Sequence, residues 1–240
     1  MHLLMIESQN SMKYDLLLFD LDNTLICFET AQNRALKKTL EPFFNCDDEF
    51  DRLNGRFKKI NDELWHSLEK GKLTKQEVFT HRFRMLLKDL SPEVCSGLNE
   101  DYLELLAEDP VPLPGARQLI ERIPDDIPVI LVTNGDKTVQ KKKLQCLPFR
   151  DKIDYMVISD EVGYSKPSKQ IFEFALKQSN RPLGSKVLMT GDNLNADILG
   201  ALDMGFDACW YNPHKKPLPS FVKPSFEVGH LDELTSVIFN

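Results

Sequence analysis

Leu16-Leu17-Leu18-Phe19-Asp20-Leu21-Asp22-Asn23-Thr24 sets four consecutive apolar side chains directly against two aspartates and a threonine. A β-rich apolar run too short for a helix, closed by an acidic residue, is the pattern of a strand buried on both faces. It predicts a first strand over Tyr14–Asp20. In an open parallel sheet ligands bind beyond the carboxyl ends of the strands, so the residues that follow each such run are the first to read for chemistry.

Four further runs have the same character: Val129–Thr133, Tyr155–Ser159, Lys186–Thr190 and Asp207–Trp210. Between and after them lie helical patterns over Lys137–Leu147, Ser168–Gln178, Ala196–Met204 and Leu231–Phe239. Strand, helix, strand in repetition implies right-handed crossovers, hence an α/β fold with a doubly wound, Rossmann-like parallel sheet. About a hundred residues separate the first strand from the second, far more than one crossover needs. Apolar residues recur there at helical spacing, as in Phe50, Leu53, Phe57, Ile60 and Leu64, and Thr74-Lys75-Gln76-Glu77 and Ser91-Pro92 are helix starts. The expected organisation is an α/β core of residues 1–27 and 109–240 with a small helical bundle inserted at 28–108, the chain returning through the stiff stretch Asp109-Pro110-Val111-Pro112-Leu113-Pro114-Gly115.

Composition narrows the function classes. Thirty Lys and Arg against 37 Asp and Glu give a formal charge of -7, which disfavours a broad electrostatic grip on a nucleic acid polymer or an anionic membrane. An anionic ligand must be held locally, by a metal or a few cations. Cys27, Cys46, Cys95, Cys146 and Cys209 are scattered and never in C-x-x-C spacing, which suggests reduced thiols rather than a disulfide framework or zinc site. The opening residues 1–8 are a poor secretion signal and no apolar run is long enough to span a bilayer. A cytoplasmic protein is expected.

Four strand ends carry reactive groups: Asp20-Leu21-Asp22-Asn23-Thr24, Thr133-Asn134-Gly135, Ser165-Lys166-Pro167, and Gly191-Asp192-Asn193-Leu194-Asn195-Ala196-Asp197. These types belong together in phosphoryl transfer. An ionised carboxylate repels a phosphate dianion, so a cation must sit between them. Mg2+ takes oxygen ligands and bridges to phosphate, and Asp20 and Asp192 with Asp22, through its backbone carbonyl, are its candidate ligands. Of the two aspartates in the first loop, one can attack phosphorus while the other protonates the leaving oxygen and then activates water. Thr133, the Asn134 and Gly135 amides and the Lys166 ammonium can stabilise the equatorial oxygens, with Asp197 holding Lys166 or the metal shell in place. Alone, each loop is more often a turn or a helix start. Their occurrence in order at four strand ends is what argues for a site, and neither acidic cluster has the glycine of a calcium EF-hand loop.

On these loops the sequence resembles the haloacid dehalogenase (HAD) superfamily, whose four motifs match Asp20 through Thr24, Thr133, Lys166, and Gly191-Asp192 through Asp197. The resemblance implies Asp20 as nucleophile, Asp22 as acid/base, Thr133 and Lys166 as phosphate binders, Asp192 as second metal ligand, and a helical cap after the first motif. Superfamily dehalogenases lack the second aspartate, so Asp22 favours a phosphatase. Leu113-Pro114-Gly115-Ala116, Ile158 through Gly163, Ser165-Lys166-Pro167 and Ala208 through His214 are similar to bacterial pyrimidine 5'-nucleotidases of the superfamily, which act on UMP, dUMP and dTMP and clear noncanonical pyrimidine nucleotides. The expected activity is thus magnesium-dependent hydrolysis of a small phosphomonoester, a nucleoside 5'-monophosphate, by a monomer or homodimer. The alternatives are a sugar-phosphate phosphatase, a receiver-like signalling protein that is phosphorylated on aspartate, and a binding protein that has lost catalysis. Phe28, Trp65 and His66 are candidates to contact a base, against the commoner role of an aromatic on a helical face in core packing.

Overall fold

The computed structural model describes residues 12–182 and 184–240. The opening residues read above as a poor leader, and the first eleven of the 1–27 core segment, lie outside them. Strand β1 spans Leu16–Phe19 and is followed, after five α-helices, by β2 (Val129–Thr133), β3 (Tyr155–Ile158), β4 (Val187–Gly191), β5 (Asp207–Tyr211) and β6 (Phe226–Val228). All pair in parallel in the order β3-β2-β1-β4-β5-β6, so the order reverses at β1. That reversal opens the crevice in which α/β sheets bind ligands.

Every residue of β1, β2 and β4 is buried, as a continuous apolar run requires when helices cover both faces. Alternate side chains enter two cores. Leu17, Phe19, Leu131 and Leu188 pack with Leu119, Ile120, Leu234 and Ile238 on one side. Leu16, Leu18, Ile130, Val132 and Met189 pack with Ile171, Phe172 and Ala201 on the other. Each buried Leu of this kind stabilises by about 1.5–3 kcal/mol, which holds the strand ends in fixed register.

Helices α1 (Phe28–Thr39), α2 (Asp47–Glu69), α3 (Lys75–Leu86) and α4 (Pro92–Leu106) lie between β1 and β2. They share a core around Leu36, Phe57, Phe83 and Tyr102. Thr74 and Glu77 form the capping box that starts α3, and Ser91 accepts from the Val94 amide to start α4 behind Pro92. The two connections to this insert run side by side: Cys27 N–H donates to Val111 O (2.8 Å) and Leu113 N–H to Leu25 O (2.9 Å). The bundle therefore sits over the end of β1.

Several elements differ from the sequence reading, among them α7 (Ser159–Val162), which begins at the residue expected to end the third strand. A sixth strand, β6, extends the sheet beyond Cys209, Trp210 and Tyr211. A short helix, α5 (Ala116–Arg122), follows Gly115, whose φ of +83° is one that glycine adopts without strain. The pattern over Ala196–Met204 is a π-helical turn at Leu194–Leu199 running into the short α9 (Gly200–Leu202). The remaining helices are α6 (Lys137–Cys146), α7 (Ser159–Val162), α8 (Lys169–Gln178) and α10 (Leu234–Ile238), the last preceded by a 3-10 turn within the predicted span Leu231–Phe239. Among the described residues no helix is long and apolar enough to cross a membrane.

Candidate active site

Asp20 follows directly on β1, and its amide donates to Thr190 O of β4 (2.9 Å), which fixes its backbone across the sheet. Asp20 is 7% exposed. Its Oδ1 meets Lys166 Nζ at 2.6 Å, and its Oδ2 accepts from Thr24 Oγ1 at 3.1 Å. The same Thr24 hydroxyl accepts from the Asp192 amide (3.1 Å), so one side chain ties the end of β1 to the loop after β4. Lys166 also reaches Asp197 Oδ1 at 2.6 Å. Asn134 clamps the Lys166 backbone from both sides, donating to its carbonyl (2.9 Å) and accepting from its amide (2.8 Å). Its side chain thus positions the lysine, a contact beyond the backbone role assigned from sequence.

Carboxylate oxygens of Asp20, Asp192 and Asp197 all lie within 4.8 Å of one another. Burial pushes the Asp20 carboxyl up to about 7, Lys166 opposes it, and the Asp197 and Asp22 charges add to the rise. Asp192 is raised well above the usual carboxylate range by burial and then by Asp20 and Asp197. Burial works against the Lys166 charge as well, but Asp197 and Asp20 outweigh it and the ammonium is held more firmly than in water. Three crowded carboxylates with one ammonium among them leave an excess of negative charge that a cation relieves. An all-oxygen donor set of this kind fits a hard divalent ion such as Mg2+.

Asp22 stands apart from that cluster. Its carboxylate accepts from Gln140 Nε2 and Lys143 Nζ of α6, both at 2.6 Å. Its side chain is therefore turned toward α6 and is not part of the acidic cluster, while Asp197 is. Gln140 also donates to Thr133 Oγ1 (2.9 Å), so one amide orients both the Asp22 carboxylate and the hydroxyl at the end of β2. The Gly135 amide meets the same hydroxyl at 3.3 Å. A Cβ on Gly135 would stand 2.1 Å from Gln140 Nε2, which is why the loop needs glycine there. Thr24 was read as part of the first loop but without this tie to Asp192, and Gln140 and Lys143 escaped the sequence reading; Lys143, 1% exposed, is hidden in the run Lys141-Lys142-Lys143, which reads as a solvated face.

These groups line a cavity of about 260 Å³ that extends from Asp20, Thr133, Asn134, Gly135, Lys166 and Asp192 up to the helical insert. Phe28, Trp65, Phe79, Arg82 and Asn61 supply its upper wall, and exposed His66 does not line it. Lys75, at the start of α3, spans the two halves by donating to Gly135 O (2.8 Å) and Ser159 Oγ (3.2 Å).

Gly191 makes the approach of Asp197 to this cluster possible. A Cβ there would lie 2.2 Å from Asp197 Oδ2, so Gly191→Ala must displace the carboxylate or the loop. We expect the variant to lose about 1–3 kcal/mol of stability, the usual cost of overpacking, and, if the acidic cluster holds Mg2+, to bind that ion at least tenfold more weakly. A denaturant melt and a Mg2+ titration read the two effects; an unchanged titration would remove Asp197 from the ion's surroundings.

The haloacid dehalogenase-like hydrolase model matches residues 14–205. The chain is 34% identical to pyrimidine 5'-nucleotidase YjjG of Escherichia coli, covering 95% of this chain and 99% of that one. It is 32% identical to pyrimidine 5'-nucleotidase PynA of Streptococcus pneumoniae over 93% and 94% of the two chains. It is also similar to the solved structure of the HAD-hydrolase YfnB of Bacillus subtilis bound to magnesium, with a TM-score of 0.84 at 32% identity, over 93% of this chain and 98% of that one.

Proposed function

The chain belongs to the haloacid dehalogenase-like hydrolase family, and from that premise we propose that it is a magnesium-dependent nucleoside 5'-monophosphatase acting on UMP, dUMP and dTMP. The observation that carries this reading is the pair of differently placed carboxylates. Asp20 is buried against Lys166 within an acidic cluster, and Asp22, two residues on, is held by Gln140 and Lys143 at the side of the same cavity.

Each group has a distinct task. Asp20 and Asp192, with the Asp22 carbonyl and Asp197 close by, would hold Mg2+, which would supply positive charge against the substrate phosphate. Asp20 attacks phosphorus, the bond to the 5'-oxygen breaks, and Asp22 gives that oxygen its proton, leaving a free nucleoside and an aspartyl-phosphate. Asp22, now a carboxylate, takes a proton from water as that water attacks phosphorus, so that inorganic phosphate leaves and Asp20 is restored. Thr133, the Asn134 and Gly135 amides and Lys166 donate to the equatorial oxygens as charge gathers on them.

The pyrimidine preference draws support from the names of the two nucleotidases and from a cavity walled by Phe28 and Trp65, which suit a planar base. Residues 28–108 act as the cap that closes over the substrate and excludes water. The enzyme works on a small molecule, as a monomer or homodimer, without a nucleic acid polymer or membrane, and its five unpaired thiols suit the reducing cytoplasm. A panel of phosphomonoesters tests this. Phosphate should be released from UMP, dUMP and dTMP with Mg2+ and not with EDTA; release from sugar phosphates, with none from pyrimidine nucleotides, would overturn the assignment.

A further inference from the structure

Arg82 of α3 is 2% exposed, yet among the described residues no carboxylate lies within ion-pair distance of it. Its Nε donates to Asn99 Oδ1 (2.7 Å), while its Nη2 has no hydrogen-bond partner among the described residues. The guanidinium is held instead by rings: Tyr102 at 4.5 Å and Phe79 at 5.0 Å from centroid to Cζ. Burial pushes it down to about 10, so it stays charged at neutral pH. A buried, unpaired cation is costly and is rarely kept by packing alone. Asn61 of α2 repeats the anomaly: it is 5% exposed and its Oδ1 has no hydrogen-bond partner among the described residues. Both side chains line the cavity that holds Asp20.

One chemistry satisfies both. The rings around Arg82 already offset part of its charge, so its occupant needs only to offer an acceptor dipole. Asn61 Oδ1 needs a donor, which a second phosphate or a carboxylate does not have. A cyclic imide edge, carbonyl, N–H, carbonyl, supplies both, on a flat ring that Phe28, Trp65 and Phe79 can flank.

We infer that Arg82 and Asn61 read the base of the substrate, Arg82 donating to a ring carbonyl and Asn61 accepting the N3–H of uracil or thymine. This rests on the nucleotidase reading above. Cytosine has no N3–H and presents an amino group where uracil has a carbonyl, so CMP matches the pair poorly. A site built around buried polar groups rejects an analogue that leaves them unpaired.

The test compares kcat/KM for UMP, CMP, 3-methyluridine 5'-monophosphate and p-nitrophenyl phosphate in the wild type, Arg82→Ala, Arg82→Lys and Asn61→Ala, all with Mg2+. The wild type should prefer UMP to the 3-methyl analogue and to CMP by at least tenfold. Asn61→Ala should abolish the preference over the 3-methyl analogue. Arg82→Ala should lower the ratio of UMP to p-nitrophenyl phosphate at least tenfold, with partial recovery in Arg82→Lys. Equal use of UMP and its 3-methyl analogue by the wild type overturns the inference without any variant, and so does a parallel fall for all substrates in both alanine variants. Failure of the wild type to hydrolyse any pyrimidine nucleotide, while p-nitrophenyl phosphate is turned over, overturns the nucleotidase reading itself and is distinguishable from both.

Discussion

Asp20→Asn should abolish turnover, lowering kcat for UMP by at least about 10⁴-fold, because the amide cannot form the phosphoryl ester on which both half-reactions depend. The substitution is nearly isosteric. Asn keeps an acceptor toward Thr24, which sits 3.1 Å from Asp20 Oδ2, and Lys166 retains Asp197 at 2.6 Å. It also removes one of three crowded carboxylates whose mutual repulsion raises Asp20 and Asp192. Stability should therefore stay within about 2 kcal/mol of the wild type, the worth of one charged hydrogen bond, read from a denaturant melt. Acid-quenched wild type, caught during turnover, should carry a phosphoryl group on the peptide containing residue 20, and the variant should carry none. Activity within tenfold of the wild type would place the nucleophile elsewhere.

That such a prediction can be made from residue 20 reflects how much of the site sequence makes visible. A strand buried on both faces leaves a run like Leu16-Leu17-Leu18-Phe19, and the chain must turn where the run stops, so the polar residues that follow are placed with little ambiguity. The same logic located Thr133, Lys166 and Asp192, and the structure brings them around one cavity. Strand β6 lacked the signal because Phe226–Val228 is three residues long and two are exposed. The π-helical turn at Leu194–Leu199 lacked it because a single turn leaves the apolar spacing nearly unchanged.

Residues that act from helices were harder to see. Gln140 and Lys143 share a helical face at a spacing of three, but nothing in the sequence says that this face meets Asp22 rather than water. Arg82 and Asn61 sit among apolar residues of α3 and α2, where a polar side chain reads as a lapse in the stripe. Only the burial of Arg82 Nη2 and Asn61 Oδ1 without a hydrogen-bond partner among the described residues marks them. The direction of the Asp22 carboxylate was also beyond sequence, since it is set by two donors more than a hundred residues away.

That direction makes the consequences of Asp22→Asn specific. If Asp22 serves as acid and then base, the variant should lose about 10²–10⁴-fold in kcat for UMP, whose alcohol leaving group needs the proton. p-Nitrophenolate leaves without one, so phosphorylation of Asp20 by p-nitrophenyl phosphate should remain fast. Hydrolysis of the phosphoenzyme still needs a base, and the variant should release about one p-nitrophenol per active site and then slow by a similar factor. UMP should give no such burst. A parallel melt reports on the contact itself: Lys143, 1% exposed, would lose its counter-ion at 2.6 Å while keeping the face of Phe28 at 5.0 Å. A loss of about 1–3 kcal/mol is expected where a buried charge gives up an ionic hydrogen bond for a neutral one. Equal losses for UMP and p-nitrophenyl phosphate, with no burst from either, would mean that Asp22 only positions its neighbours and that the proton comes from another group.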